Sequence, residues 1–150
     1  MSSHLPDRPP RLVVALSYAG LIPFIALTLA IWLAPPVYIP ELNLALNGYS
    51  AVILSFLGAI HWGLAMRANA PISPGLLVFS VLPALLAWLL LLIPMDLALL
   101  LFAAGFVLVY LVDYQAVRLN LAPVWYPGLR KPLTIVVVIC LLLTAFSSNT

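Results

Sequence analysis

Charge is nearly missing from this sequence. Asp, Glu, Lys and Arg make up 7% of its 150 residues, whereas hydrophobic residues make up 65%. A water-soluble domain of this length cannot bury that much apolar surface, so a soluble globular fold is excluded and the surplus must meet lipid. The six basic residues, Arg8, Arg11, Arg67, Arg118, Arg130 and Lys131, form no dense run, which removes nucleic acid from the expected partners. The single cysteine, Cys140, excludes an intramolecular disulfide. Lying inside an apolar run, it reads as a small buried or lipid-facing side chain. Histidine is scarce too: His4 stands in the polar N-terminal stretch, leaving His61 alone inside an apolar run. A three-histidine metal centre or a paired-histidine haem site cannot be built from that set. No glycine-rich phosphate loop and no paired carboxylates are present. Ser55 and His61 would lie about 120° off a shared helix face, a poor dyad. No catalytic residue, cofactor or metal is therefore expected, and a non-enzymatic role is the first reading.

What the sequence does have is long apolar runs separated by proline-rich breaks. Each run is near the roughly 20 residues that cross roughly 30 Å of hydrocarbon as a helix. Five are expected, at about 12–34, 43–66, 74–93, 97–118 and 131–146, between tails at 1–11 and 147–150. The fold class expected is all-α, a polytopic membrane bundle of five transmembrane helices. Pro23 should kink the first helix, and Pro35-Pro36 should end it. Ser73 before Pro74 reads as an N-cap and first-turn pair, and Asp96 as the N-cap of the fourth helix. The first run is too long for a signal h-region and is followed by Pro35-Pro36 where a cleavage site would stand, so the N-terminus is expected to stay attached.

The charges then orient the chain. With five crossings all six basic residues fall on one side, and Glu41 and Asp96 on the other. By the positive-inside rule the basic side is cytoplasmic, which puts the N-terminus in the cytoplasm and the C-terminus in the periplasm of a bacterial inner membrane.

Polar residues inside the apolar runs are the informative ones. At ~1.5 Å per residue, Tyr18 lies roughly 10 Å from Arg11, His61 roughly 9 Å from Arg67 and Asp113 roughly 7 Å from Arg118. Ser17, Ser80 and Thr134 fall in the same layer. Asp113 is the one carboxylate well inside a helix, and an ionised carboxylate there needs a partner. His61 at matching depth is the candidate. On the second helix, Asn47, Ala51, Leu54, Gly58, His61 and Ala65 share one stripe that should face protein. The small ridge Ala51, Ser55, Ala59 and Gly63 beside it permits close helix approach. Phe106, Tyr110, Asp113 and Tyr114 share a face of the fourth helix. Trp62, Trp125 and Tyr126 suit the headgroup region, and Arg118, Arg130 and Lys131 beside them could take an anionic headgroup.

Three stretches resemble a known family. Phe56-Leu-Gly-Ala-Ile-His61-Trp62-Gly63, Asp113-Tyr-Gln-Ala-Val-Arg118 and Pro123-Val-Trp125-Tyr126-Pro-Gly-Leu-Arg130-Lys-Pro-Leu-Thr134 are similar to the family named domain of unknown function 3429. Those are small bacterial membrane proteins, themselves similar to the animal transmembrane protein 69. The resemblance implies a multi-helix membrane protein, marks His61, Trp62, Asp113, Trp125, Tyr126 and Arg130, and carries no activity. The function expected is a small membrane subunit or assembly factor. Its polar layer would engage a membrane complex or an amphiphile, with His61, Trp62, Asp113, Tyr114, Arg118, Trp125, Tyr126 and Arg130 as the binding candidates. The partners expected are the lipid bilayer, a membrane protein or a second copy of the chain, and an anionic lipid or quinone. The alternative is a proton-linked transporter or channel that uses His61 and Asp113.

Overall fold

The computed structural model describes residues 8–66 and 74–147, and within them every regular element is helical. The elements are α1 (Arg11–Ala19), α2 (Ile22–Leu33), a 3-10 turn (Pro36–Tyr38), α3 (Ile39–Ala65), α4 (Pro74–Leu90), α5 (Met95–Arg118) and α6 (Tyr126–Ser147). Among the described residues, four stretches are long and apolar enough to cross a membrane: Arg11–Leu33, Pro36–Ala65, Met95–Arg118 and Tyr126–Ser147. The apolar helix α4 is shorter, at 17 residues. The protein is a polytopic helical membrane protein. Helix α3 packs against α2, α4 and α5, α4 also touches α5, α5 packs along α6, and α6 returns to α2.

Several boundaries differ from those read in the sequence, and each difference has a local cause. The first span is two helices, interrupted at Gly20-Leu21 rather than bent at Pro23. Pro23 sits in the first turn of α2, where its missing N–H has no partner to lose. Tyr49 of α3 donates its hydroxyl to the Gly20 carbonyl at 3.0 Å, filling an acceptor at the break. Helix α3 begins at Ile39 rather than 43, because Pro40 again stands in a first turn. Helix α5 begins at Met95, and Asp96 lies inside its first turn, where it favours the helix dipole, instead of capping it. Ser73 and Arg67 lie outside the described residues.

The end of α5 has the largest consequence. Asn120 takes the left-handed conformation at φ 57°, its N–H bonds the Val117 carbonyl at 2.9 Å, and the Leu121 N–H bonds the Ala116 carbonyl at 2.9 Å. This pair of bonds closes a Schellman motif that reverses the chain quickly. Helix α6 consequently starts at Tyr126 rather than 131. Pro127 occupies its first turn, and Pro132 sits inside the helix instead of opening it. Arg130, read from the sequence as lying at a helix mouth, is therefore a turn inside α6.

Packing follows the expected stripe of α3: Asn47, Ala51, Leu54, Gly58, His61 and Ala65 are all buried. The neighbouring ridge is not the internal contact. Ser55 is half-buried and bonds the Ala51 carbonyl of its own helix at 2.7 Å, while Ala59 and Gly63 are exposed. A Cβ built on Gly63 would have no neighbour within 4 Å, whereas one on Gly58 would stand 2.6 Å from the Ser80 carbonyl oxygen of α4 and 3.1 Å from Pro83. The close approach of α3 and α4 is made at Gly58. At the opposite end, Thr28 of α2 reaches the Cys140 carbonyl of α6 and the Thr144 hydroxyl, both at 3.4 Å.

Gly58→Ala should destabilise the bundle by about 1–3 kcal/mol through overpacking against rigid α4 backbone, and Gly63→Ala should be neutral. Thermal unfolding in mild detergent compares them directly. Equal melting of the two variants would remove the close contact from the account.

Candidate functional site

Three helix ends meet at the side of the bundle where α1 starts. From α3 comes His61, from α5 Asp113, and from α6 Arg130, at relative exposures of 0%, 0% and 9%. Asp113 is the hub. Its Oδ2 accepts a hydrogen bond from Arg130 Nε at 3.0 Å, and its Oδ1 lies 3.1 Å from His61 Nε2. The second contact is not a hydrogen bond, and neither Oδ1 nor Nε2 has a hydrogen-bond partner. His61 Nδ1 lies 3.1 Å from the Leu57 carbonyl, one turn back on α3. The imidazole also stands edge-on to Phe79 of α4, with centroids 5.2 Å apart. A carboxylate held this deep would cost several kcal/mol if left alone, so its two partners are a condition of the fold.

Arg130 was singled out in the sequence as a headgroup or topology residue, not as the partner of Asp113. The missed signal is a spacing of four: Tyr126, Arg130 and Thr134 share one helix face once α6 is allowed to start before Pro132. That face borders a cavity of about 370 Å³ between α1, α2, α3 and α6. Its walls are apolar, with Leu21, Phe24, Leu57, Phe106 and Val137 among them, and Ser17 of α1 contributes a hydroxyl. Rim residues Leu16 and Phe56 are 64% and 61% exposed, so the cavity opens toward lipid. At its polar end three buried atoms make no hydrogen bond: Arg130 Nη2, Tyr126 OH and Thr134 Oγ1. The Tyr126 phenol is also within electrostatic reach of Asp113 and Arg130. Unmatched polar atoms at the end of an apolar pocket are the pattern of a ligand site, since each unmet group is expensive where water is excluded.

The remaining candidates lie apart from this cluster. Trp62 follows His61 but faces outward at 48% exposure. Tyr114 is 50% exposed, and the exposed Arg118 lies over its ring at 5.7 Å from the centroid. Trp125 is half-buried and meets Tyr126 edge-on at 6.2 Å. Among the described residues, no group of three or more His, Cys, Asp or Glu could hold a metal ion.

Residues 9–146 match the family described as Protein of unknown function (DUF3429). The chain belongs to that family. It is also 37% identical over 145 residues to Transmembrane protein 69 of Xenopus tropicalis, an alignment that covers 93% of this chain and 56% of the frog protein. The chain thus spans little more than half the length of that relative. No solved structure matches. Every residue of the cluster and of the cavity wall falls inside the family match.

Removing one member of the buried Asp113–Arg130 pair should cost about 3–5 kcal/mol, for Asp113→Leu and Arg130→Met alike. The double variant should recover at least half of the summed loss, because apolar replacement of a whole buried pair is near neutral. Reversible unfolding in bicelles gives the three numbers. Strictly additive losses would mean that the two side chains do not act together.

Proposed function

We propose that this family member is a non-enzymatic amphiphile-binding protein of the bacterial cytoplasmic membrane, acting as a small subunit or assembly factor. The observation that carries the reading is the lipid-facing cavity that ends on unpartnered Arg130 Nη2, Tyr126 OH and Thr134 Oγ1. An apolar tail suits the wall formed by α1, α2 and α3. A lipid headgroup or quinone carbonyl, both acceptors, suits the donors of α6. Placing the basic ends in the cytoplasm puts this site in the inner leaflet. The outward faces of Ala59 and Gly63 support a neighbouring membrane helix, from a partner or a second copy, on the far side of α3.

A second reading, proton-linked transport, is favoured by the direct His61–Asp113 contact at 3.1 Å. It requires that Asp113→Asn abolish proton-coupled flux in proteoliposomes. Flux equal to wild type in a folded Asp113→Asn protein would end that reading.

Gentle purification from native membranes, followed by lipid mass spectrometry, tests the first reading. Wild type should carry one amphiphile enriched over the bulk lipid, and Arg130→Met should lose it. Val13→Phe, which fills the cavity mouth without touching the buried cluster, should lose it as well. A wild-type preparation with the bulk lipid profile would overturn the proposal.

A further inference from the structure

The polar end of the cavity is rich in hydrogen-bond donors and poor in uncommitted charge. Among the described residues that line it, Arg130 is the one charged side chain. Its charge is already met, because Nε donates to Asp113 Oδ2 at 3.0 Å and both side chains are buried. What remains is Nη2, a buried donor with no hydrogen-bond partner. The guanidinium is a rigid plane, so the bond from Nε also constrains where Nη2 points. Thr134, one turn further along the same face of α6, is about 6 Å of helix rise away, and its buried hydroxyl is likewise unbonded. Tyr126, one turn the other way, stands within electrostatic reach of Asp113. The unmet groups therefore lie in a row along α6 instead of at a single point.

This arrangement selects by charge. An anionic head on the row would have to share Arg130 with Asp113, two negative groups against one cation. Out of water an unpaired charge costs several kcal/mol. Among the described residues lining the cavity there is no second cation to offset it: α1, α2 and α3 contribute Ser17 and otherwise apolar residues. Lys131, beside Arg130 in sequence, and Arg118 are both exposed. An uncharged carbonyl avoids that cost. It accepts from Nη2, adds no charge, and relieves the penalty of a buried donor left unmet. Access points the same way. The mouth opens to lipid past exposed Leu16 and Phe56, so a head that enters there leaves water behind, which is far cheaper for a neutral group than for an ion.

We propose that the cavity takes an uncharged amphiphile whose head carries carbonyl oxygen, and that Asp113, by engaging Arg130, excludes anionic heads. This rests on the amphiphile reading above and names its ligand class. The carbonyl oxygen accepts from Arg130 Nη2, and a second oxygen of the head meets the Thr134 hydroxyl one turn along. The cavity, at about 370 Å³, is near the lower end of small-molecule pockets (about 300–1,000 Å³), which fits one ring or one chain. Phe24, Phe56 and Phe106 supply aromatic surface to its wall. The carbonyl of a quinone ring and that of a monoacylglycerol ester share the required chemistry. Asp113 is a positioning residue in this account: it turns a cation that would draw a phosphate into one directed donor of a neutral pair.

Native mass spectrometry of the full-length protein in a mild detergent tests this by counting bound probe along a titration. The probes are a decyl-tailed benzoquinone, monoolein, and oleoyl-lysophosphatidylglycerol, which keeps the monoolein chain and adds a phosphodiester. The two uncharged probes should bind at least tenfold more tightly than the phosphodiester. The tighter of the two names the source, ring or ester, and either supports the class. Thr134→Val, which removes the hydroxyl and keeps the shape, should weaken the uncharged probes about two- to tenfold. Asp113→Asn leaves an oxygen for Arg130 Nε and removes the charge, so the phosphodiester should gain at least tenfold relative to monoolein. Should that variant not fold, the wild-type ranking decides alone. Equal or tighter binding of the phosphodiester by wild type would overturn the uncharged class and leave the amphiphile reading standing. A folded Asp113→Asn protein with the wild-type ranking would overturn the role given to Asp113. Undiminished binding of the uncharged probes by Thr134→Val would overturn the second contact on α6. Binding of none of the three would overturn both the class and the amphiphile reading.

Discussion

The carboxylate of Asp113 is the constraint on which the arrangement of this bundle depends. In lipid, apolar side chains gain nothing by leaving the bilayer for another helix, so the force that assembles soluble cores is missing between spans. What remains is close packing and the need of buried polar groups for one another. Asp113, deep in α5, meets that need only if α3 delivers His61 and α6 delivers Arg130 to the same point. Three helices are thereby fixed in rotation and depth at one end. The hydroxyl contacts of Thr28 and Thr144 with the Cys140 carbonyl tie α2 to α6 toward the other end, and the bare backbone at Gly58 lets α4 lie directly on α3. Each device is local and polar or steric, and together they specify a bundle that hydrophobicity alone would leave free to slide.

The apolar helices and the stripe of α3 were legible because both are consequences of the solvent. Lipid demands apolar length, and a helix buries the residues that recur every three to four positions. The position of Arg130 was not legible for equally physical reasons. Pro127 and Pro132 resemble helix boundaries, yet one stands in a first turn, where no N–H is needed, and the other is tolerated within a membrane helix. The turn at Asn120 supplied the missing length by closing α5 within two residues. Small residues misled in another way. Gly58 and Gly63 are both one-sided clues to close approach, and only the observed rotation of α3 separates the buried glycine from the exposed one.

The cavity arises from the broken first span. A continuous helix from residue 11 to 33 would lie along α3 and α6 for its whole length. The interruption at Gly20-Leu21, held by Tyr49, lets α2 pack inward through Phe24 and Ile31, while α1 rests on α6 with no buried residue of its own. Phe24 is held edge-on between Tyr49 and Phe106, at centroid distances of 5.0 and 5.9 Å, and forms a rigid apolar wall. The space left under α1 reaches from that wall to the face of α6 that carries Arg130. The element that is packed least thus covers the pocket, and the elements that are packed best carry its polar end, a division expected where a ligand must enter past one surface and be recognised by another.

Fold and site are consequently one electrostatic problem. Within the protein, Asp113 neutralises Arg130 and lies against His61. A wholly structural cluster would be built to end neutral, with every donor matched, because a half-satisfied polar network is less stable than an apolar core. This one stops short of that at a defined place: Arg130 Nη2, with Tyr126 OH and Thr134 Oγ1 beside it, borders the cavity rather than another helix. On this face of α6 the unmet hydrogen bonding and the position of the empty space coincide. Such coincidence is what separates a site from a structural pin, since a pin has no reason to leave its unmet donors on the side that opens to lipid.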